Sequence, residues 1–129
     1  MAGKILMIDD DRRLCEELKE ILEREGYQFS CCLDGGEGIE HLENDAFDLL
    51  ILDLKLPGLH GTEILKKIKR TDTHPKVLVF TGSPLHSDTF QEKFIHEEEE
   101  EVFRLADAIL NKPCKMPVML ARIRELIPQ

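Results

Sequence analysis

Apolar positions along this chain follow two rhythms that take turns. Short continuous runs, too short for a globular helix, stand at Lys4–Ile8, Leu49–Leu52, 76–80 and 107–111, as expected of buried parallel strands covered on both faces. Between them the spacing turns helical. Leu14, Leu18, Ile21 and Leu22 share one face of a helix that an acid among Asp9, Asp10 and Asp11 can cap and Gly26 ends. A second strand is predicted over 27–33, with Cys31 and Cys32 pointing to opposite faces. Asp34, with Glu37 three residues on, makes a capping-box-like start for a helix through Glu43. Ile64, Leu65 and Ile68 mark the inward side of a helix over 61–70. Pro117 suits another helix start, with Val118, Met119, Ile123, Leu126 and Ile127 on its buried side.

The stretch 84–107 is less regular. Phe90, Phe94 and Ile95 share a helical face, but carrying that face onward brings Glu98 and Glu101 onto it. Two shorter helices fit better, the second turning Val102, Phe103 and Ala106 inward. Five strands alternating with helices predict one α/β domain over residues 1–129, a doubly wound five-stranded parallel sheet with right-handed crossovers. A chain of this length buries a core without disulfide or metal staples.

Charge narrows the partners. Lys and Arg number 17 against 26 Asp and Glu, a net of −9, which repels phosphate backbones and anionic lipid and disfavours nucleic acid or a membrane surface as partner. Cations and basic protein patches fit better. Residues 84–107 hold eight acids and two bases, so −6 of the excess is local, and the run Glu97 to Glu101 reads as a solvated face. No apolar run approaches membrane-spanning length and the opening residues lack a signal-peptide core, so a cytoplasmic location is expected. Cys15, Cys31, Cys32 and Cys114 lack metal-ligand spacing and read as reduced thiols. His41, His60, His74, His86 and His96 show no paired metal spacing and read as surface residues.

In a parallel sheet all carboxyl ends lie on one edge, which is where ligands bind in such folds. Emerging there are Asp9 and Asp10, Asp53, Thr81 and Lys112. Asp53 taken singly could equally cap a helix or make a turn, and a cap explains only one of the acids at 9–11. The set as a whole has the chemistry of a phosphoryl acceptor. Crowded carboxylates repel, and a hard cation such as Mg²⁺ relieves that repulsion at neutral pH. Asp53, held on a strand, serves as nucleophile, with rate supplied by positioning and by the charges of Mg²⁺ and Lys112.

Asp9-Asp10 after the first strand, Asp53 ahead of Leu56-Pro57-Gly58 and Gly61, Thr81-Gly82 and Lys112-Pro113 resemble, in order and almost end to end, the receiver domain of two-component response regulators. The resemblance implies a flavodoxin-like strand order 2-1-3-4-5, an order for which a receiver is itself a standard example. It implies that Asp53 takes a phosphoryl group from a sensor histidine kinase or phosphotransfer protein, and that the domain is no enzyme beyond its own phosphorylation and dephosphorylation. Asp10 would bind Mg²⁺ directly and Asp9 through water, with Asp53 and the carbonyl of Lys55 completing the protein ligands. Thr81 would move its hydroxyl onto the phosphoryl group, Lys112 would pair with it, and the Lys112–Pro113 bond would be cis. Lys55 and Ser83 hold positions that tune the phosphoryl lifetime in the family. The output implied is a change of contacts with a downstream protein or output domain, or a homodimer, with no nucleic acid bound by this domain.

Three departures stand out. Ile109 occupies the usual aromatic switch position. Thr81 and Lys112 lie 31 positions apart, longer than usual by roughly two helical turns. The extra residues fall near 84–94, as a partner surface or as a tolerated loop insertion. His60 replaces an acid common in the family. Rival readings are a Mg²⁺-dependent phosphatase of the haloacid dehalogenase type, which wants a hydroxyl or β-branched residue where Arg13 stands, and a flavodoxin, whose phosphate the acids at 9–11 would repel. A third is a receiver-like protein-interaction module that acts without phosphorylation.

Overall fold

The computed structural model describes residues 3–57, 59–71, 74–82 and 100–128. In chain order they form β1 (Lys4–Ile8), α1 (Arg12–Arg24), β2 (Gln28–Cys32), α2 (Gly35–Asn44), β3 (Leu49–Leu52), α3 (Gly61–Lys69) and β4 (Lys76–Thr81). The helical residues 100–105, here α4, β5 (Ala108–Asn111) and α5 (Met116–Leu126) follow. All neighbouring strands pair in parallel in the order β2-β1-β3-β4-β5, the expected flavodoxin-like sheet.

The unbroken apolar strands are explained by cover on both faces. Ile5, Met7, Ile51 and Leu78 pack with Leu18 and Leu22 of α1 and Met119 and Ile123 of α5. Their neighbours Leu6, Ile8, Leu50 and Val79 pack on the other face with Ile64, Leu65 and Ile68 of α3. Truncating any of these to Ala costs about 2–5 kcal/mol. Helix starts follow the local chemistry. Asp11 is the acid that caps α1, its Oδ1 accepting from Leu14 N at 3.1 Å, which leaves Asp9 and Asp10 for other work. Asp34 caps α2 through Glu37 N at 2.8 Å. His60, given no structural role by the sequence pattern, caps α3, its Nδ1 accepting from Thr62 N at 3.1 Å. Gly26 takes the φ of +97° that ends α1 in the left-handed region.

Some expectations are corrected. Phe103 and Val118, expected inward, are 48% and 47% exposed. Consecutive helical residues point about 100° apart, so when Val102 and Met119 turn into the core their neighbours turn out. Cys15 and Cys31, expected as free thiols, face each other between α1 and β2 with Cα atoms 6.2 Å apart, and the structure joins their sulfurs in a disulfide. Their separation of 16 residues hides a juxtaposition that only the packing of α1 on β2 creates. Cys32 and Cys114 are free. Cys31 and Cys32 do pack on opposite faces of the sheet. The expected helix carrying Phe90, Phe94 and Ile95, the insertion at 84–94, Glu97 to Glu99, His86, His96, Gly58 and Ser83 lie outside the described residues. No helix among the described residues is long and apolar enough to cross a membrane.

Asp107, just before β5, ties three elements together. Its Oδ2 accepts from Val77 N at 2.7 Å and from Lys69 Nζ at 2.9 Å. Burial alone would raise its pKa, but the Lys69 ammonium and the Val77 N–H more than offset that and hold the carboxyl below the ordinary 3.8. A carboxyl made more acidic by folding stabilises above its unfolded pKa, and the contribution disappears as pH falls through the lower folded value. Asp107→Ala is therefore expected to cost about 1–3 kcal/mol in urea unfolding at neutral pH. The gap to the native chain should narrow progressively below the ordinary 3.8. A gap that stays constant into strong acid would show the carboxylate to be idle.

Candidate functional site

The sheet's hydrogen bonding runs one residue past the strands and sets the site. Asp9 N donates to Cys32 O at 3.0 Å and Asp53 N to Ile8 O at 3.1 Å, which fixes the Asp9 and Asp53 backbones on adjacent strand ends. On the other side Lys112 N donates to Thr81 O at 2.9 Å. The five residues singled out by their places at strand ends thus share one edge. Asp9 and Thr81 are fully buried, Asp53 is 6% exposed, and Asp10 faces solvent.

Lys112 Nζ bridges the two buried acids, 2.7 Å from Asp9 Oδ2 and 3.4 Å from Asp53 Oδ2. Its ammonium also lies 5.5 Å from the centroid of the Phe80 ring, a cation–π contact that strand periodicity does not reveal. The remaining oxygens are held by backbone: Asp9 Oδ1 accepts from Asp11 N at 2.9 Å, and Asp53 Oδ1 from Lys55 N at 3.3 Å. The Lys112–Pro113 bond is cis, as the family resemblance implies.

Charge and burial compete here. Burial pushes the Asp9 pKa up, and the hydrogen bonds from Lys112 and Asp11 N–H only partly counter it. At Lys112 the balance goes the other way: burial would lower its pKa, but Asp9 and Asp53 together raise it. The pair therefore holds its proton on the lysine while Asp9 remains under-compensated, one ammonium serving several carboxylates. Oxygens of Asp9, Asp10 and Asp53 can all lie within 4.8 Å of one another. Three carboxylates with one ammonium leave a local excess of negative charge suited to a single divalent ion, and an all-oxygen donor set matches Mg²⁺. The residues present fit the implied metal.

Gly61, the first residue of α3, packs against the chain that carries Asp53. A Cβ there would stand 2.4 Å from the Asp53 carbonyl oxygen and 2.6 Å from Leu54 Cα. Backbone atoms cannot swing aside, so Gly61→Ala is expected to cost about 1–3 kcal/mol in urea unfolding. Native-like stability of that variant would show that the segment yields freely. Lys55 is exposed and its N–H faces Asp53, so the turn after β3 wraps the Asp53 carboxylate.

Comparison with known proteins places the chain. The response regulator receiver domain model matches residues 5–124. The regulatory protein VanRB of Enterococcus faecalis is 30% identical over 127 residues, covering 98% of this chain and 53% of that protein. The chain spans about half the length of the curated relatives that it matches across nearly its whole length. A crystal structure of a CheY-like response regulator receiver domain protein from Methanospirillum hungatei is 31% identical and superposes with a TM-score of 0.79, covering 97% of this chain and 93% of that one. The BeF3-activated DrrB receiver domain is 27% identical over the full length of both chains, with a TM-score of 0.76.

Proposed function

This chain belongs to the response regulator receiver domain family, and from that premise we propose that Asp53 accepts a phosphoryl group from a histidine kinase or phosphotransfer protein in a Mg²⁺-dependent reaction. The observation that carries the proposal is the Lys112 ammonium, 2.7 Å from Asp9 and 3.4 Å from Asp53 at the buried sheet edge. A carboxylate oxygen of Asp53 bonds to phosphorus as the donor's phosphorus–nitrogen bond breaks, and the departing imidazole takes a proton from solvent. Asp53 is a weak nucleophile, so the protein's part is positioning. Lys55 N–H fixes the carboxylate plane, and Lys112 places positive charge where phosphoryl oxygens arrive. Asp9, Asp10, Asp53 and the Lys55 carbonyl would hold Mg²⁺, which when bound neutralises charge on the transferring group.

Once Asp53 is modified, its added charge and acceptor oxygens recruit Lys112 away from Asp9 and draw the Thr81 hydroxyl toward the new group. Both residues sit at the β4–β5 end, so the change reaches the half-buried β5 edge of the sheet. Ile109 is half-buried against the α3-side cluster and has no ring to swing, so the coupling runs through strand displacement. The output is an altered protein contact, with a second copy, a downstream protein or a further domain, in the cytoplasm and without nucleic acid bound by this domain. Lys55 and Ser83 would set how long the acyl phosphate lasts. Intact mass after incubation with a small-molecule phosphodonor tests the proposal. One phosphoryl adduct is expected, only when Mg²⁺ is present. No adduct under any donor would favour the interaction module that acts without phosphorylation.

A further inference from the structure

A second cluster of ligating side chains lies at the β2–α2 junction, apart from the acidic pocket. Cys32 ends β2 with its side chain on the α2–α3 face of the sheet, 1% exposed and outside any disulfide. Glu37 and His41 follow on α2 four residues apart, a spacing that puts them on one helical face. One ligating atom from each, the Cys32 sulfur, a Glu37 oxygen and a His41 ring nitrogen, lies within 4.8 Å of the other two. In a tetrahedral site with metal–ligand lengths near 2.0–2.3 Å, ligand atoms stand about 3.5 Å apart. Glu37 and His41 are exposed and free to swing that remaining distance.

We propose that Cys32, Glu37 and His41 form a binding site for a borderline divalent transition metal, with Zn²⁺ the best match and water in the fourth position. Ligand softness separates this site from the acidic pocket. Thiolate and imidazole select Zn²⁺ and its neighbours, whereas the all-carboxylate set of Asp9, Asp10 and Asp53 selects a hard ion. Binding displaces the thiol proton of Cys32 to solvent, so one proton leaves for each metal bound at that sulfur. Without metal that proton is firmly held: burial, with Glu37 and Asp34 adding, pushes the thiol up to about 12. The rigid ligand is the strand-end cysteine, and the two helical ligands close onto it. Histidine spacing alone gives no sign of the site, because its third member comes from a neighbouring element.

The test is a Zn²⁺ titration of the whole chain in excess Mg²⁺, read by competition with a chromophoric chelator, alongside a Co²⁺ titration read by the thiolate-to-metal charge-transfer band. One Zn²⁺ per chain is expected, with affinity lowered at least tenfold in both His41→Ala and Glu37→Gln. Both positions are solvent-exposed, so these variants keep the fold, which circular dichroism checks. The Co²⁺ thiolate band should vanish in Cys32→Ser, while Asp53→Asn should bind Zn²⁺ as the native chain does. The proposal is overturned by the absence of stoichiometric binding or by native affinity in the helix variants. It is equally overturned by a thiolate band that survives in Cys32→Ser, or by binding lost in Asp53→Asn instead.

Discussion

Asp53→Asn is expected to reduce the phosphoryl adduct below detection while leaving the fold intact. The amide has the carboxylate's shape but neither its charge nor a competent nucleophilic oxygen, so the bond to phosphorus cannot form. Little else is disturbed. The stronger partner of Lys112 is Asp9, at 2.7 Å against 3.4 Å for Asp53, and the amide oxygen of the substituted side chain can still accept from Lys55 N. Removing one of three crowded negative charges also eases repulsion at the site. Denaturant unfolding should therefore give native-like or slightly higher stability, and intact mass should show no adduct with Mg²⁺ and donor present. An adduct of undiminished yield in the variant would move the acceptor to Asp9 or Asp10 and overturn the assignment.

Lys112→Met should destabilise the fold, and the effect should depend on the metal. Asp9 is fully buried, and burial already raises its pKa despite the bond from Lys112. Without the ammonium an uncompensated buried charge remains, at a cost of about 3 kcal/mol without divalent ion. Mg²⁺ should then stabilise the variant more than the native chain, because the ion no longer competes with a resident cation for the same oxygens. Urea unfolding with and without Mg²⁺ measures both quantities. An identical loss in the two conditions would show that metal and lysine do not share those carboxylates. Phosphoryl transfer in the variant should be slowed as well, since a charge opposite the arriving oxygens is gone.

Much of this architecture is legible in the sequence because parallel strands carry no polar face. Leu49 to Leu52 has to be apolar at every position, so the place where the run stops is also where chemistry begins. The same logic picks out Asp9, Thr81 and Lys112, and the sheet order brings these strand ends together. Features set by how elements pack against one another are not legible in this way. Whether Val102 or Phe103 faces inward depends on how α4 is rolled about its axis, and the apolar spacing allows either. The Cys15–Cys31 bond arises from α1 lying over β2, the Phe80 ring beside Lys112 from the pairing of β4 with β5, and the His60 cap from the path of the turn after Asp53. Asp11 shows the intermediate case. The sequence requires one acid of three to cap α1, and only the hydrogen bond to Leu14 N identifies which.

The close packing of Gly61 would give the proposed switch a direction. Gly61 leaves no space behind the Asp53 carbonyl, so a phosphoryl group accepted at Asp53, as proposed, would meet a strand end backed by α3. The proposed displacement would then emerge on the opposite flank, where the bond from Lys112 N to Thr81 O links β4 and β5 beyond their strands. On that proposal the β5 edge of the sheet, rather than its centre, would carry the movement.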